Sequence, residues 1–276
     1  MSWGPALRDA VARLAAAGVP DAPRDARLLL AHARGVRPDR VSLHLADPVA
    51  ADDLARFDAL IAARAARAPV SHLTGQRLFW GRSFAVTPDV LDPRPETETL
   101  VALALQAPFD RVLDLGTGSG CILLSLLADR PQAIGVGADL SPAALQVAQR
   151  NADRLGVAGR AAFVLSDWCA GVQGSFDLIV SNPPYIAAAE LADLSPEVRD
   201  HEPHLALTDG HDGLTAYRAL AAQTPAHLGP GGRILMEIGA GQGAAVTDLM
   251  RSAGFRAVSC HPDLDGRDRV VSALRP

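Results

Sequence analysis

Apolar residues recur at two different spacings along the chain, and the change from one to the other divides it. Leu7, Ala10, Val11 and Leu14 fall at helical intervals. So do Leu28, Leu29 and Leu30 with Arg24, Asp25 and Arg27 before or between them, and Leu54, Phe57, Leu60 and Ile61 after Ala51-Asp52-Asp53. That spacing gathers apolar side chains on one face of a helix. Pro20, Pro23, Pro38, Pro48 and Pro69 separate the pieces. Residues 1–75 therefore predict a bundle of about four short helices. They hold no constellation of catalytic residues.

The pattern changes at residue 76. Leu78-Phe79-Trp80 and Phe84-Ala85-Val86 flank Gly81-Arg82-Ser83, which predicts a β-hairpin linker over 76–92. Leu91-Asp92-Pro93-Arg94-Pro95-Glu96-Thr97-Glu98 is a stiff loop leading into a helix near 98–105. Continuous apolar runs follow at 111–115, 133–138, 161–165, 176–180 and 233–238, with helical stretches at 121–128, 142–155 and 241–253. Strands covered by crossover helices on both faces read as such unbroken runs. Near the end, 255–260 and 269–273 are joined only by Pro262-Asp263-Leu264-Asp265-Gly266, so these two strands must be antiparallel. The expectation is an α/β fold, the seven-stranded Rossmann-like sheet of class I methyltransferases. The expected domains are a helical domain at 1–75, the linker at 76–92 and a methyltransferase domain at 93–276.

Composition narrows the chemistry. The chain has no lysine among its 26 basic residues, which excludes a phosphate-loop lysine, a Schiff base and a lysine general base. A net charge of −5 argues against a free-standing nucleic-acid binder. Ten arginines against eight acidic residues give 1–75 a balance of about +2, and the remainder carries about −7. The first segment is thus the better place to meet an acidic partner. No run approaches the roughly 18–20 apolar residues of a membrane span, and no basic and apolar leader opens the chain. Cys121, Cys169 and Cys260 are scattered and odd in number, as expected of reduced thiols in a cytoplasmic protein. No metal is expected. His201-Glu202-Pro203-His204 has the wrong spacing and a proline for a zinc helix.

Two constellations carry chemistry. Asp114 lies in the first parallel strand, followed by the turn Gly116-Thr117-Gly118-Ser119-Gly120. Glycines there let a ligand approach the backbone. An acid at that place suits the ammonium and sulfonium of S-adenosylmethionine better than a pyrophosphate. Asp139 ends the next strand, where a carboxylate can accept from both ribose hydroxyls, and Ser141 is the better cap for the following helix, leaving Asp139 free. Asp167, ending the third strand, can accept from an adenine amino group, with Trp168 covering the ring. Three acids at successive strand ends line one crevice.

The second constellation is Asn182-Pro183-Pro184-Tyr185, ending the fourth strand on the same rim. Its prolines have no N–H, so this backbone offers acceptors. The Asn182 side-chain oxygen and the Pro183 main-chain oxygen can grip an NH₂ group, and Tyr185 can pack on the planar group that carries it. An amide or aromatic amine is a weak nucleophile because its lone pair is delocalised. Two acceptors on its hydrogens favour pyramidalisation and aim that lone pair at a methyl donor.

These motifs resemble the peptide-chain release factor N5-glutamine methyltransferases, the PrmC/HemK type. The resemblance runs from Gln76 through Phe79, Gly81, Phe84, Val86 and the Pro93–Glu98 loop. It continues through Asp114–Gly120, Asn182–Tyr185, His201-Glu202-Pro203 with Ala206-Leu207, and Asp212-Gly213-Leu214 with Tyr217-Arg218. Glu237-Ile238-Gly239 with Gln242-Gly243, and Asp265-Gly266 with Asp268-Arg269-Val270, complete it. Residues 1–70 agree only in length and helical character.

The resemblance implies S-adenosylmethionine as methyl donor and class 1 peptide chain release factors as partners, methylated on the glutamine of their Gly-Gly-Gln loop. It implies cofactor binding by Gly116–Gly120, Asp139, Trp168 and Asn182, glutamine binding by Asn182–Tyr185, and a pocket shaped by Arg94, Glu96 and Glu98. The helical domain would help dock the release factor. Neither a membrane nor a nucleic-acid substrate is expected. Asp92 departs from the family pattern and puts a charge near the substrate entrance. A ribosomal-protein glutamine and an adenine N6 stand as alternative acceptors, because the tetrapeptide is shared with other nitrogen methyltransferases. A non-catalytic adaptor of this fold is the rival from another class.

Overall fold

The computed structural model describes residues 2–275. In chain order the elements begin with α1 (Trp3–Ala16), α2 (Ala22–Arg34), α3 (Ala51–Ala65) and α4 (Val70–Thr74), then the hairpin strands β1 (Gln76–Phe79) and β2 (Arg82–Ala85). Next come α5 (Glu98–Ala104), β3 (Arg111–Leu115), α6 (Cys121–Asp129), β4 (Ile134–Asp139), α7 (Pro142–Arg154), β5 (Ala161–Leu165) and β6 (Phe176–Ser181). The chain ends with α8 (Pro196–His201), α9 (His204–Leu207), α10 (Thr215–Gln223), β7 (Leu228–Glu237), α11 (Gly243–Ser252), β8 (Arg256–Pro262) and β9 (Asp268–Leu274).

Two compact units result. The first holds Met1–Gln76 and Ser195–His201, the second Arg77–Leu194 and Glu202–Pro276. In the first, the apolar faces of α1, α2 and α3 close around Trp3, Leu14, Leu29, Phe57 and Ile61. The Trp3 and Phe57 rings meet edge to face at 5.9 Å, the arrangement their quadrupoles favour. α8 belongs to this unit through charge rather than through an apolar stripe. Arg64, only 5% exposed, pairs with Asp25 at 2.7 Å and with Glu197 at 2.9 Å, and Arg67 reaches Glu197 at 2.7 Å. The sequence reading ended the helical segment at residue 75 and did not include 195–201.

The second unit is a seven-stranded sheet in the order β5-β4-β3-β6-β7-β9-β8. β3 pairs parallel with β4 and β6, β4 with β5, and β6 with β7, while β9 runs antiparallel to β7 and β8. The strand side chains alternate between two cores, as a period of two requires. Val112, Leu178, Val180 and Leu235 pack with Leu100, Leu123 and Leu126 on one face. Leu113, Ile179, Ile234 and Met236 pack with Tyr217, Leu220 and Val246 on the other. Burial on both faces explains the unbroken apolar runs.

β7 starts earlier than the expected residue 233. Its first half, Leu228-Gly229-Pro230-Gly231-Gly232, reads as a loop, yet it joins the sheet through a register shift opposite Phe176 and Leu178. A bulge accommodates the proline's missing donor. The β1–β2 turn is Trp80 and Gly81, with φ of 48° and 69°. Two left-handed residues match the twist of a tight hairpin.

Candidate active site

Strand order reverses at β3, between β4 and β6, and a parallel sheet opens a crevice at the carboxyl ends of the strands at such a point. The loops after β3, β4, β5 and β6 meet there. Gly116, Gly118 and Gly120 have φ of 74°, 54° and 78°, so the turn after β3 needs glycine at all three. Gly116 N and Thr117 N both donate to Ala138 O, at 2.8 and 3.0 Å, tying this turn to the end of β4.

Asp139 is tied into the same corner. Its Oδ2 accepts from Gly118 N at 2.8 Å and its Oδ1 from Ser141 N at 2.9 Å. Ser141 caps α7 by accepting from Ala144 N at 3.2 Å. Asp139 is therefore not free of the backbone, contrary to the expectation. Each of its oxygens nonetheless keeps a lone pair for a ligand hydroxyl. After β5, Trp168 adopts a left-handed φ of 48°. Ser166 holds that turn, donating to Trp168 O at 2.7 Å and accepting from Gly171 N at 2.8 Å. A bulky aromatic residue seldom adopts this region, and the two Ser166 bonds hold it there.

A cavity of about 350 Å³ occupies the crevice. That size suits a drug-sized ligand. Gly116, Thr117, Gly118, Ser119, Asp139, Asp167, Trp168, Asn182, Pro184 and Arg94 all line it. Asp114, Gly120, Pro183, Tyr185, Glu96 and Glu98 do not. Asp114 is fully buried, and its Oδ2 takes Thr117 Oγ1 at 2.8 Å and Leu123 N at 3.3 Å. Its Oδ1 has no partner among the described residues. Burial pushes Asp114 up to about 7, against the pull of the Thr117 and Leu123 bonds. Gly120 is set back as the α6 cap, where a Cβ would stand 2.9 Å from Leu124.

Pro183 is buried, and Tyr185 is half-buried against the core shared with Tyr217. Burial pushes the Tyr185 hydroxyl up to about 12, helped by the charge of Glu237, so it stays protonated. Glu98 Oε1 accepts from Trp80 N at 2.8 Å and anchors the hairpin. Glu96 is exposed. Asp92 is buried rather than set at an entrance, with Arg77 at 3.5 Å and Arg94 at 4.0 Å.

Several lining residues carried no motif that had marked them. Leu140, directly after Asp139, is an exposed leucine on the cavity wall, and an apolar residue beside a strand-end acid was a usable signal. Val90 lines the cavity from the segment before α5, beside Leu91 and Thr97 of the proline loop already marked in the sequence. Glu202 and Glu237 are buried carboxyls close behind it. Gln242 locks the Asn182–Tyr185 loop, donating from Nε2 to Tyr185 O at 2.9 Å and Gly213 O at 3.2 Å and accepting from Gly239 N at 3.0 Å.

A glycine turn, strand-end acids and an Asn-Pro-Pro-Tyr loop at the switch point of this seven-stranded sheet define a class I methyltransferase. Two solved structures share the fold. A methyltransferase from Pyrococcus furiosus aligns with a TM-score of 0.55 at 16% identity, over 79% of this chain and 97% of that one. The hMettl16 catalytic domain, in complex with the MAT2A 3′UTR hairpin 6, aligns with a TM-score of 0.60 at 16% identity, over 78% and 81%. Residues 5–75 match the family model for the PrmC N-terminal domain, and residues 92–196 that for the methyltransferase small domain. The release factor glutamine methyltransferase of Cereibacter sphaeroides is 63% identical over 98% of each chain. That of Rhodospirillum rubrum is 49% identical over 95% of this chain and 82% of its own, and that of Deinococcus radiodurans 44% over 98% and 97%. The chain belongs to the release factor glutamine methyltransferase family.

Proposed function

We propose that this enzyme transfers a methyl group from S-adenosylmethionine to the side-chain amide nitrogen of the glutamine in the Gly-Gly-Gln loop of class 1 peptide chain release factors, in the cytoplasm, and thereby tunes translation termination. The observation that carries the reading is that Asn182 and Pro184 line the same cavity as Gly116, Asp139 and Trp168. A methyl donor and a planar nitrogen held by these two groups of residues face each other within one enclosure.

The lining fits the cofactor. Asp139 has spare acceptor capacity for ribose hydroxyls, and Asp167 stands beside Trp168 for an adenine ring. When bound, the sulfonium supplies an electrophilic methyl group. The chain supplies orientation. The Asn182 side-chain oxygen and the Pro183 main-chain oxygen accept from the two N–H bonds of the substrate amide, and Tyr185 packs on its plane. Acceptors aimed at those hydrogens favour the pyramidal nitrogen of the transition state over the planar ground state. The helical unit serves to dock the release factor.

Labelled S-adenosylmethionine tests this. Label should reach a class 1 release factor and vanish when its Gly-Gly-Gln glutamine is replaced. Label on a ribosomal protein or on DNA, and none on the release factor, would sink the reading.

A further inference from the structure

Asn182 and Pro184 line the cavity, but the segment that carries them cannot hold itself in place. Pro183 and Pro184 have no N–H, so neither can donate into a ladder or a turn. The orientation of the loop is therefore set by what pins its two ends. At the near end Ser181 pairs within the sheet with Leu115 of β3 and Met236 of β7, and its hydroxyl donates to Leu115 O at 2.6 Å. At the far end the Tyr185 carbonyl accepts from Gln242 Nε2 at 2.9 Å.

Gln242 directly precedes α11 and is half-buried. A glutamine amide can be turned over without changing shape, so its neighbours choose its polarity. Here the backbone makes the choice. Oε1 faces Gly239 N, which only donates, at 3.0 Å, and Nε2 faces Tyr185 O and Gly213 O, which only accept. Both N–H bonds of the amide are used, and one arrangement satisfies all three partners. The side chain thus joins the loops after β6, before α10 and after β7. Its second anchor is itself fixed, because Asp209, on the cavity wall, accepts from Gly213 N at 3.1 Å. Gly239 leaves the room that the arrangement needs: a Cβ there would stand 3.1 Å from Gln242 Oε1 and 3.3 Å from Tyr185 Cδ2.

We propose that Gln242 is a positioning residue for methyl transfer. By holding the Tyr185 carbonyl it fixes the far end of a segment whose two prolines cannot rotate about φ, and so sets the direction of the Pro183 main-chain oxygen and the Asn182 side chain. The inference rests on the acceptor role proposed for Asn182–Tyr185. The donated bonds carry the role, not the bulk of the side chain. The turn after β3 is held by other partners, Ala138 O and Asp139, so the cofactor side of the cavity does not depend on Gln242.

The test measures methylation of a class 1 release factor by the full-length enzyme carrying Gln242→Met or Gln242→Glu, with S-adenosylmethionine affinity read by calorimetry. Gln242→Met keeps the volume and removes every bond. It should lower kcat on the order of tenfold to a hundredfold, the penalty for misplacing a reacting group, with cofactor affinity unmoved. Gln242→Glu separates donor from acceptor. Ionised, the introduced carboxyl still accepts from Gly239 N but has nothing to donate to Tyr185 O; neutral, it has one O–H for that carbonyl. Its kcat relative to wild type should therefore climb as pH falls, while the Gln242→Met ratio stays flat. The groups that face this position are Tyr217, whose hydroxyl lies 3.5 Å from Oε1, with Tyr185, Asp209, Glu237 and Arg269 around it. Wild type carries all of them, so the ratio removes their own titration. Wild-type kcat in Gln242→Met, a loss of cofactor affinity equal to the loss of kcat, or a Gln242→Glu ratio flat in pH overturns the inference. No label on the release factor with the wild-type enzyme overturns the proposed function, and the inference with it. Should Gln242→Met fail to fold, the pH dependence of Gln242→Glu decides.

Discussion

Arg94 Nη2 stands 2.7 Å from both carboxylate oxygens of Glu202, a residue far along the chain that is buried beside the same cavity. Burial pushes Glu202 up to about 7, and the guanidinium pulls the other way. The pair ties the loop before α5 to the segment entering α9. Arg94 lines the cavity from one side, and Pro203, Leu205 and Ala206 line it from the other.

Glu202→Ala should therefore loosen the cavity wall. It strands Arg94, 30% exposed, with Asp92 as its nearest remaining acid at 4.0 Å. A stability loss of about 1–3 kcal/mol is expected, below the cost of breaking a fully buried pair because Arg94 reaches water. Denaturant unfolding of the variant measures it. A midpoint equal to wild type would mean the pair holds nothing in place.

The Tyr185 carbonyl is confined as tightly. A Cβ on Gly213 would stand 2.4 Å from Tyr185 O, and Gly213 has φ of 75°, so alanine is excluded by both contact and backbone. Gln242 holds the same carbonyl from another side. Gly213→Ala should shift the acceptor loop and lower kcat on the order of tenfold to a hundredfold, the penalty for small misplacements of a reacting group. Cofactor affinity, measured by calorimetry, should change little, because the turn after β3 is built separately.

The parallel strands, the final antiparallel pair and the glycine turn were legible in the sequence because their causes are local. A strand covered on both faces must be apolar throughout, as Val112-Leu113 and Ile179-Val180 are. Hydrogen-bonded partnerships across the fold were not legible. Nothing near Thr97 announces that Asn182 will donate to it, and nothing near Asp139 announces that Gly118 and Ser141 will occupy it. α8 escaped for the same reason. Glu197 joins the helical unit through Arg64 and Arg67, and an ion pair leaves no periodicity.

Asn182→Ala is the direct probe of the acceptor loop. Asn182 lines the cavity, and its side chain is spanned by Thr97 behind and open space ahead. Removing a positioned transition-state contact costs on the order of 10² in kcat. The glycine turn, Asp139 and Trp168 remain, so S-adenosylmethionine should bind nearly as before. Unchanged turnover would show that the amide is held by other groups.

In the helical unit, Arg64 is the buried centre of an ion cluster, with Asp25 at 2.7 Å and Glu197 at 2.9 Å. Arg64→Met keeps the stem and removes the charge. Two carboxylates then remain with Arg67 alone against Glu197. A loss of about 2–4 kcal/mol is expected, since Asp25, largely buried, loses its ion-pair partner while Glu197 keeps only Arg67. Limited proteolysis should cut near residues 195–201 sooner than in wild type. An unchanged cleavage pattern would mean that other contacts hold that segment.

Three buried carboxyls give stability its own pH dependence. Burial pushes Asp114, Glu202 and Glu237 each up to about 7, from ordinary values of 3.8, 4.5 and 4.5. Between those limits the folded chain holds protons that the unfolded chain has released. Stability is thus fully present below the ordinary values and is lost as pH rises through about 7. The melting temperature should fall between pH 5 and pH 8. Glu237→Gln removes one of the three ionisations and should raise the midpoint at pH 8 on the order of 5 °C, with little gain at pH 5.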